Sequence, residues 1–311
     1  MLREDCVRPL RLRLFGLTVL VTALTVAQAS AANRGVRIGP GKGDFQFRDE
    51  RGDRSKEITV FTYLPPDVDS SKAPIVFVMH GHHRSAESYR NNWAKHADKY
   101  GFMVLAPLFD EEQWGQGQYS YASVVTKSGR IRDPAKWSFT VVEHLFDEVK
   151  AATGNTNPQY FLYGFSEGGQ FVHRLVLLLP QARYARAVVG TPGWYTMPRF
   201  DVKYPYGLGD SPATEASVRT SLGRDVVLLL GDQDTDPNHE ELRSTRQAEA
   251  QGPHRVARGQ TFFREAAKRA AALNTRFGWR LRYVRGAEHR PSQMSATAAE
   301  LLMAPEVAKG R

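Results

Sequence analysis

Three short segments hold residue types that can do chemistry together: Gly164-Phe165-Ser166-Glu167-Gly168, Gly231-Asp232-Gln233-Asp234-Thr235-Asp236-Pro237 and Gly286-Ala287-Glu288-His289. A serine hydroxyl is a weak nucleophile until a base removes its proton, and that base must be oriented by an acid. Ser166 stands between glycines, as a serine on a tight strand-to-helix turn must, because neighbouring chain passes close by. A bare Gly-x-Ser-x-Gly arises by chance in many chains. One placed between a strand and a helix is far more specific. The order Ser166, Asp234, His289 is that of a nucleophile followed by its acid and its base.

Asp234 is the expected partner of His289, because a carboxylate three residues past Gly231 can turn back over the sheet. Asp232 follows the strand so closely that it is expected to brace the loop, and Asp236 before Pro237 to serve as a turn or cap residue. The alternation of aspartates also raises a calcium loop, which needs Gly at its sixth position and Glu at its twelfth. Pro237 and Arg243 stand there instead.

The turn His80-Gly81-His82-His83 follows a continuous apolar run, residues 75–79. A turn at this place donates one backbone N–H to a developing oxyanion, and the residue after the nucleophile donates another. His82 and Glu167 are the expected donors. His-x-His-His also opens a metal ligand set, but Arg84 and Ser85 follow where further ligands would be needed, so neither metal nor cofactor is expected. Nothing resembles a phosphate loop, a dinucleotide fingerprint or a nucleic-acid module, so no nucleic-acid partner is expected.

These turns need a scaffold of alternating strands and helices. Strands are predicted over 57–64, 75–79, 102–105, 160–163, 187–189, 226–230 and 279–284, with 44–48 as an edge strand. Helices are predicted over 85–100, 134–152, 168–179, 259–274 and 292–303. That alternation gives an α/β fold with a mostly parallel sheet covered on both faces. Two aromatic loops, 110–133 and 191–212, interrupt it. Trp114, Trp194 and Tyr195 in these loops are expected to bind substrate, although rings there also serve to pack a loop onto the body.

The chain has 311 residues, 41% hydrophobic and 24% charged, with a formal charge of +9. This composition excludes collagenous, coiled-coil and wholly disordered chains. Residues 1–32 read as a secretory signal peptide: a basic start with Arg3, Arg8, Arg11 and Arg13, an apolar run over 14–27, then small residues with cleavage sites at either Ala29 or Ala31. The run of 14 residues is short of the roughly 20 that span a bilayer, so no stable membrane insertion is expected. The expected destination is the periplasm or the exterior. Cys6 leaves with the leader, and four arginines against two acids leave +7 on residues 33–311. Solubility or an anionic envelope accounts for such a charge. A sharper reading is an acidic substrate, gathered by Arg255 and Arg258 at the active-site mouth.

The chain resembles the α/β-hydrolases, and among them the secreted polyhydroxybutyrate-depolymerase-like and feruloyl-esterase-like serine hydrolases. The carriers are His80-Gly81 with Tyr89 and Trp93 in the helix that follows, the segment Lys99-Tyr100-Gly101-Phe102-Met103-Val104-Leu105-Ala106-Pro107, and the three turns above. Many members have a cysteine where this chain has His82. The resemblance implies a single α/β-hydrolase catalytic domain over 33–311 that cleaves ester or related acyl bonds through an acyl-enzyme. The alternatives are a depolymerase or amidase acting on an anionic polymer such as a poly(amino acid), and a non-catalytic polymer-binding protein on the same fold.

Overall fold

The computed structural model describes residues 35–126 and 128–305. The expected leader lies outside them. In chain order the elements are β1 (Gly41–Arg48), β2 (Glu57–Leu64), β3 (Ile75–Met79), α1 (Ala86–Tyr100), β4 (Met103–Leu108), a short α2 (Gln116–Tyr119), α3 (Ser138–Thr153), β5 (Tyr160–Phe165) and α4 (Glu167–Leu178). Then follow β6 (Tyr184–Gly190), α5 (Glu215–Gly223), β7 (Val226–Gly231), a short α6 (Arg246–Glu249), α7 (Arg255–Ala272), β8 (Trp279–Val284) and α8 (Pro291–Met303).

The strands form one eight-stranded sheet in the order β1-β2-β4-β3-β5-β6-β7-β8. Only the β1–β2 and β2–β4 pairs are antiparallel. Burial follows from that layout. β2 and the second half of β1 alternate buried with more exposed residues, whereas β3 and β7 are buried at every position, as strands covered on both faces must be. Val76 and Val78 of β3 face the layer of α1 and α8, where Trp93, Ala97, Met294 and Leu302 pack. Ile75, Phe77 and Met79 face the opposite layer, with Phe146 of α3, Phe171 of α4 and Phe262 of α7. Truncating a buried ring such as Trp93 to alanine costs about 3–5 kcal/mol.

The crossovers fix where a site can form. From β3 the chain moves to β4 on one side, and β5 lies on the other. The carboxyl ends of strands at such a reversal leave a crevice into which ligands fit. His80 follows β3 and Ser166 follows β5, so both turns open into it.

Most expected elements are present with shifted ends. α7 begins at Arg255, four residues before its expected start, and residues 134–136 form a separate 3-10 turn before α3. α5 was not expected. Its start carries a reciprocal cap, with Thr214 Oγ1 accepting from the Ser217 N–H and Ser217 Oγ accepting from the Thr214 N–H.

Candidate active site

The backbone at Ser166 has φ 55° and ψ −114°, a strained conformation between β5 and α4. Its flanking glycines are sterically required. A Cβ on Gly164 would lie 2.1 Å from the Gly168 carbonyl oxygen, and one on Gly168 would lie 2.2 Å from that of Met79. The turn therefore lifts the serine side chain above the sheet, at the amino end of a helix buried along its whole length.

His289 comes from the turn after β8. Its Nε2 lies 3.0 Å from Ser166 Oγ and its Nδ1 2.7 Å from Asp234 Oδ2. Asp234 is held from two further sides: Thr191 Oγ1–H donates to Oδ2 at 2.7 Å, and Arg255 Nη1 donates to Oδ1 at 3.3 Å. Burial opposes ionisation of Asp234, but the His289 hydrogen bond, the charges of His289 and Arg255, and Thr191 outweigh it and hold the carboxyl below its usual range. Burial pushes His289 the other way, disfavouring the imidazolium, and the Arg255 charge adds to that effect against the pull of Asp234. The imidazole is thus neutral at neutral pH. Of the three neighbouring aspartates, Asp234 meets the histidine, while Asp232 Oδ1 accepts from the Gly286 N–H at 2.7 Å and braces the His289 turn.

His82 and Glu167 both line the cavity of about 500 Å³ that contains Ser166, and among the described residues neither N–H is used in the turn and loop hydrogen bonds around it. The turn is fixed from below by His80, which is fully buried. Its Nε2 accepts from the Phe109 N–H at 3.1 Å, so Nδ1–H donates to the Gly81 carbonyl at 3.0 Å. Burial lowers the His80 pKa to about 3, which keeps that arrangement neutral. The Glu167 carboxylate points away from solvent, accepting from Ser120 Oγ at 3.0 Å and facing Arg84 Nη2 at 3.6 Å.

The loop over residues 232–245 reaches across to the His82 turn, where Glu241 Oε1 lies 2.7 Å from His83 Nε2. Two cavities share Ser166 as a lining residue, and Glu240, Glu241 and His82 border both. The larger holds Trp194 and Arg243; the smaller, about 290 Å³, holds Tyr89, His239 and His289. A group leaving from an attacked carbonyl must collect its proton from His289, so the smaller cavity suits the leaving group and the larger one the acyl part.

The expected substrate residues separate. Trp194 lines the larger cavity. Tyr195 lies beneath it, stacked on Phe262 at 4.5 Å, and Trp114 is buried against Phe109 at 5.0 Å under the Lys56 ammonium. Neither is among the residues lining the cavities at Ser166. Arg255 and Arg258, expected to gather an acidic substrate at the mouth, are each 1% exposed, although Arg255 lines the larger cavity. Arg255 is consumed by Asp234, and Arg258 donates to the Gly193 and Gly252 carbonyls at 2.7 and 2.9 Å. Both lie on the inward face of α7 with Gly259, Phe262 and Ala266, a three- and four-residue spacing that was available in the sequence. His173 lies on α4 itself and accepts from the Thr196 N–H at 3.0 Å, which ties the 191–197 loop to that helix. Thr191 and Arg243 had no motif to mark them.

No protein-family model matches the chain. It is 40% identical to poly(aspartic acid) hydrolase-1 of Sphingomonas sp. KT-1, with a TM-score of 0.82, covering 85% of this chain and 99% of that one. A poly(3-hydroxybutyrate) depolymerase of Bordetella parapertussis is 33% identical, with a TM-score of 0.81, over 84% of this chain and 89% of that one. The chain belongs to the esterase- and depolymerase-type α/β-hydrolases. A probable acetylxylan esterase A of Aspergillus clavatus is also similar, at 25% identity over 181 residues, 56% of this chain; the hydrolase spans 54% of that relative's length. Among the described residues of the hydrolase, no group of three or more His, Cys, Asp or Glu is placed to hold a metal ion, and no helix is long and apolar enough to cross a membrane.

Proposed function

We propose that the protein is a secreted serine hydrolase that cleaves ester or related acyl bonds of a polymeric substrate through an acyl-enzyme on Ser166. The observation that carries this is the continuous hydrogen-bonded chain from Ser166 through His289 to Asp234, at 3.0 and 2.7 Å. Ser166 Oγ attacks the carbonyl carbon as His289 Nε2 takes its proton. The carbonyl oxygen gains negative charge, which the His82 and Glu167 N–H groups stabilise. The imidazolium, balanced by Asp234, passes the proton to the leaving oxygen or nitrogen as the bond breaks. Water then attacks the acyl-enzyme with His289 again as base, releasing the acid and restoring the Ser166 hydroxyl. Secretion rests on the leader-like residues 1–32.

A polymeric substrate is supported by the two solved relatives named for polymers and by the two cavities that share Ser166. The relative named for poly(aspartic acid) favours a second reading, in which the same groups cleave amide bonds of an anionic poly(amino acid). The test is turnover of a para-nitrophenyl ester, polyhydroxybutyrate and polyaspartate by the wild-type protein. Release of soluble products from polyhydroxybutyrate, or shortening of the polyaspartate chain, lost in Ser166→Ala, supports polymer hydrolysis. Hydrolysis of the small ester alone removes the polymer from the account, and binding without turnover of any substrate leaves a non-catalytic binding protein.

A further inference from the structure

The cations around the larger cavity are not equivalent. Arg255 is matched by Asp234, and Arg258 by two carbonyls. Arg174, fully buried below Trp194, is spent on Thr196, Gln170 and the Ser120 carbonyl. Arg243 differs. Its side chain is half-buried on the cavity wall, and no carboxylate of the described residues comes within 4.0 Å of it.

Arg243 is nonetheless held in place. Its Nε donates to the Tyr206 hydroxyl at 2.7 Å and its Nη1 to that of Tyr121 at 3.4 Å, while its guanidinium lies 5.1 Å from the Trp194 ring centre. A guanidinium has five N–H donors, and only two are directed at these phenols. Anchoring by aromatic neighbours removes the rotamer freedom that binding would otherwise have to freeze. The acids on the same wall do not neutralise it: Glu167 faces Arg84, Glu241 faces His83, and Glu240 is exposed where it borders the leaving-group cavity as well.

Arg243 also lines an adjoining cavity of about 390 Å³, which Leu242 and Ser244 share. An acyl chain extending from Ser166 past Trp194 therefore runs over this guanidinium. A planar fork of this kind is suited to a carboxylate.

We propose that Arg243 is a specificity-determining residue that binds a carboxylate carried on the acyl portion of the substrate, so that the scissile bond lies beside an acidic acyl unit. The proposal rests on Ser166 being the nucleophile. It assigns acidity to the acyl side and none to the leaving group.

The test uses the full-length protein freed of its leader and two esters with one leaving group, mono-para-nitrophenyl adipate and its neutral methyl ester. Wild type should prefer the acidic ester in kcat/KM. In Arg243→Gln the acid-to-neutral ratio should fall about 10- to 100-fold, mainly through KM, as for loss of a hydrogen bond to a charged group. Arg243→Lys should restore part of the preference. If Arg243 merely braces Trp194, both esters lose activity together and the ratio stays fixed, which overturns the proposal. Equal use of the two esters by wild type overturns it as well. Hydrolysis of neither ester, with no fluorophosphonate adduct on Ser166, defeats the nucleophile assignment, and the subsite falls with it.

Discussion

Asp234 and Arg255 form a buried ion pair at 3.3 Å directly behind His289, with side chains 3% and 1% exposed. One carboxylate oxygen faces the guanidinium while the other serves His289 and Thr191. The acid is thus kept charged and unable to rotate. The same guanidinium opposes protonation of the imidazole, so a single arginine acts on both the carboxylate and the ring.

This arrangement sets the pH profile. Only neutral His289 can accept the Ser166 proton, and its pKa is lowered from 6.5. The acid limb of kcat/KM should therefore lie below pH 6.5, with full activity at neutral pH. Arg255→Gln removes a charge that lowers this pKa, so the limb should move to higher pH. A limb that stays put or moves down in the variant would show that Arg255 does not act on the base.

Thr191→Val deletes one donor to Asp234 while nearly keeping its shape. A lost hydrogen bond to a charged group is worth about 1.5–3 kcal/mol. We expect kcat to fall on the order of 10-fold with KM little changed, measured with a small ester under saturating conditions. A change confined to KM would place Thr191 in substrate contact instead.

The aspartates should separate by role. Asp234→Asn should lower kcat by about 10⁴-fold. Asp232→Asn weakens the brace on the Gly286 N–H and should appear as a lower urea midpoint, with kcat within a few-fold of wild type. A catalytic defect in the Asp232 variant as deep as that of the Asp234 variant would contradict this division.

The elbow is a packing constraint before it is a chemical one. Gly164→Ala places a methyl 2.1 Å from the Gly168 carbonyl oxygen, where only backbone can give way. Overpacking of this sort costs about 1–3 kcal/mol or more, read as a drop in the urea midpoint. A midpoint equal to wild type would show that the turn relaxes freely.

How far this was legible in the sequence depended on what each residue answers to. Ser166 and His289 occupy turns whose order and neighbours are dictated by the sheet, and Asp234 could be separated from Asp232 and Asp236 by its distance past β7. The continuous apolar runs gave β3 and β7 because a strand covered on both faces has no polar side. The burial of Arg255 and Arg258 was not legible because charge suggests exposure, whereas a buried acid or carbonyls of a folded loop satisfy them. The burial of Arg255 depends on Asp234, 21 residues away in the chain, and that of Arg258 on Gly193, 65 residues away. Trp114 and Tyr195 show the converse: aromatic loop residues that fill the core and not the cleft. Arg243 stood out only once the partners of the other cations were known.

The most direct measurement of the central claim is intact-protein mass spectrometry after treatment with a fluorophosphonate, with the adduct mapped by peptide digestion and turnover followed in the same samples. One adduct per chain on the peptide containing Ser166, with activity lost in step, is the expected result. Ser166→Ala should take up no label and retain activity lower by about 10⁴- to 10⁶-fold. Labelling on another residue, or near-normal hydrolysis by purified Ser166→Ala, would contradict the account.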